Sequence, residues 1–422
     1  MGLREWWRRW RGHDARILPS GAEALGALGG KVLARLPASA SAVVRLPPLC
    51  GPPALAVVIA EVEVFNSGNI DLQLRDAAGT RKDGVFCAPG PGTHRLALFG
   101  TASAGLHLNL ASDEGTARIG EVSVVGLPRA ALAPERLVPQ PALAPDPGWG
   151  RVYGHPASDD LVGRLRAREF DALAAPVLVS LLGGLKLWLE PGDELSRALM
   201  LSGLYEPETL LVVRSLLPTG GTFIDVGANC GIMSLFAAQC VGAGGRVEAF
   251  EPSPREFARL RANVAANDVA NVTLHQTAVA EVAGTVTLRL AEEGHAGHNT
   301  IGSAFAYQGV AVAERVDVPA ITLDEALAGL ERCDLIKMDV EGAELRALRG
   351  AATTLARLRP HLVLEVFDAA LAGHGSTVAD LMAWLAAHGY EARDIDPRTG
   401  RFESPARVAP GESKNIVAVP KS

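Results

Sequence analysis

Asp225, Glu251, Asp339 and Glu365 each stand where a short apolar run in the second half of the chain breaks into a loop. Carboxylates in such places can grip hydroxyl groups, take up a proton or hold a cation. The first of these runs, Phe223–Val226, passes at once into Gly227, Ala228, Asn229, Cys230 and Gly231. A helical pattern follows at Ile232, Leu235, Phe236 and Cys240. Strand, glycine-bearing turn and helix together form the corner at which an α/β sheet binds a nucleotide. Gly227 and Gly231 let backbone approach a ligand closely, and the first N–H groups of the new helix face it. The next run, from Arg246 to Phe250, ends at Glu251. A carboxylate there can accept hydrogen bonds from both hydroxyls of a ribose, although it lies beyond the roughly 20-residue spacing of a dinucleotide fold. Asn229 and Ile232 occupy the places of the second and third glycines of G-x-G-x-x-G. A pyrophosphate needs that bare backbone, so NAD is disfavoured. An adenosyl ligand without phosphates fits better, and S-adenosylmethionine is the common one.

The elements that must position these residues alternate between strand and helix. Val272–Gln276, Asp334–Asp339 and His361–Val366 read as the third, fourth and fifth strands, and Asn415–Val419 as a closing one. Ser253, Pro254 and Glu256 mark one helix start, and Thr322 with Glu325 marks another. Leu345, Leu348, Ala352, Leu355 and Leu358 line a single helix after the fourth strand. The helix from Thr377 to His388 stops at Gly389. The predicted fold is a doubly wound α/β sheet whose site lies at the carboxyl ends of its strands. Those ends are Asp225, Glu251, Gln276, Asp339 and Glu365, four of them acidic.

Four segments in this order, Phe223–Gly231 (FIDVGANCG), Phe250–Pro252 (FEP), Ile336–Glu344 (IKMDVEGAE) and Arg359–Pro360 ahead of Glu365, resemble the FkbM-type methyltransferases over about residues 175–420. The resemblance implies a class I, Rossmann-like fold and an S-adenosylmethionine-dependent enzyme that methylates hydroxyls of sugars and natural products. It implies that Gly227, Asn229 and Gly231 hold the methionine end of the cofactor. Asp225 would orient the turn or meet the cofactor's amino group through water, Glu251 would take the ribose, and the adenine would lie near Gln276–Ala278. Asp339 would end the strand facing the methyl group. Methyl transfer rests on positioning and on removal of the acceptor proton. Asp339, Glu341, Glu365 and His298 are the candidate bases, with Asp339 favoured on location alone.

Plainer roles compete with some of these. Glu344 suits a cap at the start of the following helix more than catalysis, and Glu341 could share that role. His295 and His298 have the H-x-x-H spacing of metal ligands, but their glycine-rich loop reads better as a solvated substrate loop. Asp339, Glu341 and Glu365 could hold Mg²⁺, yet spacing alone does not converge oxygens, so no metal is expected.

At 422 residues the chain is too long for one core. Residues 1–14 form a Trp/Arg-rich tail. Residues 15–128 carry short alternating strands expected to form a β-sandwich or jelly roll, among them Leu55–Ile59 and Val62–Phe65, with a turn at 66–69. Residues 129–160 are an Ala/Pro-rich linker, and 161–422 the methyltransferase domain. A hairpin at Gly183–Gly184 precedes the sheet. A formal charge of −7 without a basic block argues against nucleic-acid binding. Five scattered cysteines without a C-x-x-C pair indicate reduced thiols and a cytoplasmic setting. No apolar run is long enough to span a membrane. Trp6, Trp7 and Trp10 suit weak contact with a membrane interface, although a short helix packing on the next domain explains them more simply. The acceptor is therefore a small molecule or glycan, and the oligomeric state is open. The rival is a non-catalytic protein that binds an adenosyl ligand or glycan through a degenerate methyltransferase domain.

Overall fold

The computed structural model describes residues 31–36, 43–45, 55–65, 70–75, 78, 81–87, 92–100, 106–112, 117–139, 161–292, 294–303, 305–306 and 310–421. The Trp/Arg-rich tail, the turn at 66–69 and most of the proline-rich segment lie outside these residues. The chain divides into two compact units.

The C-terminal unit is built on a seven-stranded sheet. Its strands are β1 (Thr222–Val226), β2 (Arg246–Phe250), β3 (Val272–His275), β4 (Leu335–Met338), β5 (His361–Phe367), β6 (Tyr390–Asp394) and β7 (Ser413–Pro420). Their order is β3-β2-β1-β4-β5-β7-β6. The first five run parallel, and β7 pairs antiparallel with both β5 and β6. The order reverses at β1, which puts the crevice between the loops after β1 and β4. Every residue of β1 is buried, as expected for a parallel strand covered on both faces. On one face Ile224, Val226, Ile336, Met338, Leu362 and Leu364 pack with Leu345, Leu348, Leu355, Leu381 and Leu385. On the other, Ala249 meets Leu260 and Ala228.

Several helix ends follow their sequence signals. Ser253 caps Pro254–Ala266 by accepting from the Glu256 N–H, while the Glu256 carboxylate accepts from the Ser253 hydroxyl, Arg255 and Asn299 and the Ser253 N–H goes to Glu251. Thr322 with Glu325, and Thr377 with Asp380, make full capping boxes. The expected hairpin pairs Val177–Ser180 with Lys186–Leu189, and Gly389 has a φ of 76°. One expectation is corrected. The helix after β4 is two helices, Glu344–Arg349 and Ala352–Leu358. Gly350 lies at the break, and a Cβ there would be 2.1 Å from the Ala280 carbonyl oxygen.

Between β3 and β4 the chain makes a three-stranded sheet of Ala278–Val279, Val312–Ile321 and Gly284–Ala291. The loop between its long strands carries the two histidines. Among the described residues no helix is long and apolar enough to cross a membrane.

The N-terminal unit contains two four-stranded antiparallel sheets. Leu55–Val64 is one continuous strand rather than two short ones, pairing along its length with Gly92–Gly100 and Ala117–Leu127. Val58, Val62, Leu98 and Val124 of one sheet share an apolar cluster with Leu72, Leu74, Leu108 and Leu110 of the other. The linker boundary also shifts. Arg129–Leu132 and Pro134–Leu137 are short helical turns, and the helix Leu161–Asp171 groups with this unit through Arg166, which donates to the Leu137 carbonyl at 2.6 Å.

Gly227 has a φ of 83°, and a Cβ there would lie 1.9 Å from the Asp339 carbonyl oxygen. Gly227→Ala therefore combines left-handed strain with a backbone clash. It is expected to lower stability by about 2–4 kcal/mol, read as a lower chemical-denaturation midpoint.

Candidate functional site

The turn after β1 is shaped by its own chain. The Gly227 and Ala228 N–H groups both donate to the Phe250 carbonyl at 3.0 Å, which draws the turn over the end of β2. Asn229 takes a left-handed φ of 48° and points its N–H at Glu251 Oε2, at 2.9 Å. Glu251 Oε1 accepts from the Ser253 N–H at 2.8 Å. Burial pushes the Glu251 carboxyl up to about 8, against the lowering effect of these N–H groups. Asp225 is 1% exposed and accepts from Ser234 Oγ at 2.5 Å, while its Oδ1 has no hydrogen-bond partner among the described residues. Phe250 and His275 stack with ring centroids 4.4 Å apart, closing the apolar floor behind β2.

Across the crevice, β4 carries the buried cation Lys337, paired in register with Asp225. Lys337 Nζ lies 2.8 Å from Asp339 Oδ2. Burial alone would lower the ammonium, but Asp339, Glu206 and Asp225 outweigh it and hold it charged. In return, although burial opposes its ionisation, Asp339 is held below the usual carboxylate range by Lys337 and by a hydrogen bond from Glu365. Glu365 and Glu341 are pushed well up, by burial first and then by the Asp339 charge. Ser413 Oγ donates to Glu365 at 2.8 Å. One ligand oxygen from each of Asp339, Glu341 and Glu365 lies within 4.8 Å of the others. Glu344 turns back to accept from the Val340 and Gly342 N–H groups, so it braces the loop that presents Asp339 and Glu341.

A third wall comes from the loop before Thr300 and from the helix Glu194–Ser202. His298 Nδ1 is 3.5 Å from Glu341 Oε1, and burial pushes the imidazole down, so it is neutral near pH 7. His295 Nδ1 is 3.4 Å from Glu194 Oε2.

One cleft thus gathers Asp225, Gly227, Asn229, Glu251, Ala278, Asp339, Glu341, Glu365 and His298. Two expected residues fall outside it. Gln276 is exposed, and Thr277 lines the wall in its place. Gly231 is buried behind the turn, where a Cβ would be 2.5 Å from Leu260 Cδ1; the close approach it permits is helix on helix. Tyr205 and Glu206 line the cleft as well and were not anticipated. Burial and the surrounding carboxylates push the Tyr205 phenol well above its ordinary value. Glu206 sits at a φ of 44°, with Asn415 Nδ2 donating to it at 3.1 Å. Their one signal is the Tyr-Glu-Pro run opening the helix Pro207–Leu216.

The sequence profile of the methyltransferase FkbM domain matches residues 225–392. The chain is 30% identical to methyltransferase sdnD of Sordaria araneosa, covering 36% of this chain and 68% of that protein. It is 32% identical to the 31-O-demethyl-FK506 methyltransferase FkbM of Streptomyces tacrolimicus, covering 38% and 74%. Among solved structures, a methyltransferase FkbM from Methylobacillus flagellatus aligns at 16% identity and a TM-score of 0.32. That alignment spans 53% of this chain and about half, 52%, of the other.

The methyl donor of a methyltransferase of this kind is S-adenosylmethionine, and the residues present fit it. Each oxygen of Glu251 already holds one backbone N–H and keeps lone-pair capacity for ribose hydroxyls. Asp225 lines the cleft, and its buried Oδ1 has no hydrogen-bond partner among the described residues, which suits an ammonium group. Phe250, Ala278, Val279 and Leu288 offer apolar walls for a flat ring. By its sequence matches to methyltransferase sdnD and to FkbM, the chain belongs to the FkbM methyltransferase family.

Proposed function

We propose that the protein transfers the methyl group of S-adenosylmethionine to a hydroxyl of a sugar, glycan or glycolipid-type acceptor. The observation that carries this reading is Asp339, held as an anion by a buried ammonium at the carboxyl end of β4, across the crevice from Glu251. Bound there, the cofactor supplies an electrophilic methyl on a sulfonium centre, and the chain's remaining task is to place the acceptor oxygen and take its proton. Asp339 is shifted toward the form that accepts a proton, whereas Glu341 and Glu365 are shifted toward the protonated form, which can donate hydrogen bonds to acceptor oxygens. A cleft lined by so many carboxyl groups suits a polyhydroxylated acceptor. The name of the Streptomyces relative places its own methyl on an oxygen, which supports an oxygen acceptor here. The paired N-terminal sheets are read as a β-sandwich accessory module.

Turnover is measured as S-adenosylhomocysteine released over a panel of sugars, glycolipid extracts and hydroxylated natural products. Cofactor binding without methyl release on any of them would overturn the reading in favour of a binding protein. Asp339→Asn is expected to lower kcat by about 10²–10⁴-fold while cofactor affinity changes little. Lys337→Met removes the charge that keeps Asp339 ionised, so the acidic limb of the kcat profile moves to higher pH. It also leaves buried carboxylates uncompensated, at a cost of about 3–5 kcal/mol in denaturant melts.

Glu251 gives a separate pH signature. Its raised value of about 8 means that the proton is largely present at neutrality, while ribose hydroxyls favour the ionised form. Affinity for S-adenosylhomocysteine is expected to rise by up to about tenfold per pH unit below that value and to level off above it. Titration calorimetry checks this, and Glu251→Gln should flatten the dependence.

A further inference from the structure

Glu194, His295 and His298 form a cluster that the methyl-transfer reading leaves unexplained. One ligand atom from each lies within 4.8 Å of the others, although Glu194 comes from a helix about a hundred residues earlier in the chain. His295 Nδ1 is buried and has no hydrogen-bond partner among the described residues, yet it stands 3.4 Å from Glu194 Oε2. That separation is long for a charge-assisted hydrogen bond, which closes to roughly 2.7–2.9 Å. It is close to the roughly 3.3 Å between two ligand atoms that share a tetrahedral ion at about 2.0–2.1 Å from each.

The arrangement is held from several sides. The Glu194 N–H donates to the Gly294 carbonyl at 3.1 Å, which ties the loop to the start of its helix. The His298 N–H donates to the His295 carbonyl at 3.0 Å, closing the turn that brings both rings to one side. Asn299 Oδ1 accepts from the Ala291 N–H at 2.9 Å, while its Nδ2 donates to Glu256 at 2.8 Å. His298 Nδ1 faces Glu341, the carboxyl neighbour that commonly orients a metal-bound imidazole. The rings stand with centroids 5.9 Å apart and tilted, so neither blocks the other's approach to a common point.

We propose that Glu194, His295 and His298 bind one divalent transition-metal ion of the zinc class. Two imidazoles and one carboxylate suit zinc far better than magnesium, which prefers an all-oxygen shell. All three residues line the cleft, so an ion held by them would lie at its wall. An ion with an open position can hold an acceptor oxygen and make its hydroxyl more acidic. The assignment goes beyond the methyl-transfer reading and does not depend on it.

The test is metal binding, not activity. Full-length protein stripped with chelator is titrated with ZnCl₂ and CoCl₂. The expected result is one equivalent bound with a cobalt visible spectrum of a four- or five-coordinate site, and zinc X-ray absorption showing imidazole scattering. Glu194→Gln and His295→Asn should each weaken zinc binding by at least about tenfold, with melting curves confirming the fold. The X-ray absorption arm needs no variant, so a poorly folding mutant does not weaken the test. The proposal is overturned if the wild-type protein binds no stoichiometric zinc, or if the absorption spectrum lacks imidazole. It is equally overturned if binding survives both substitutions but is lost in Asp339→Asn, which would place the ion on the carboxylates of β4 and β5.

Discussion

A single buried ammonium organises the cleft. Lys337 lies on the central strand β4 beside Asp339 at that strand's own end, and among Glu206 and Asp225, which come from two other parts of the chain. An unpaired charge in that position would be expensive, and so would the carboxylates without it. Together they compensate one another, and the balance pulls Asp339 down while burial and the Asp339 charge push Glu341 and Glu365 up. Glu251 is set apart from this network, its two oxygens occupied by backbone N–H groups on the far side of the β1 turn.

The parallel part of the sheet is legible in the sequence because its strands are short apolar runs ending in polar residues, and because Ser253, Thr322 and Gly389 mark helix ends by local chemistry. What escapes is set by distant contacts. Nothing around Gly350 tells that the Ala280 carbonyl presses there and splits one helix into two. The strand Tyr390–Asp394 carries Glu391, Arg393 and Asp394, a composition that reads as surface loop until β7 pairs with it. Leu55–Val64 looks like two strands because Glu61 interrupts its apolar pattern, yet Gly92–Gly100 pairs with it in unbroken register and Ala117–Leu127 follows it through a register shift between Ala60 and Val62.

At the site, strand-end reasoning places Asp225, Glu251, Asp339 and Glu365 on one cleft because a parallel sheet presents all such ends together. It misplaces Gln276, since the chain turns after β3 and brings Thr277 inward instead. The glycine turn places Gly231 at the ligand, whereas its missing side chain makes room for Leu260. Tyr205 and Glu206 were hidden because they precede the sheet altogether. The convergence of Glu194 on two histidines a hundred positions later is a tertiary fact with no local trace.

The antiparallel strand β7 follows all the other strands of its sheet in the chain, yet it inserts between β5 and β6. It brings Ser413 to Glu365 and Asn415 to Glu206, so two carboxyl groups of the cleft gain their partners from it. On a translating ribosome, β1 to β4 emerge long before that strand does. The nucleotide corner can therefore assemble while the acid cluster still lacks its support, and a nascent chain would recognise its donor before it could organise an acceptor.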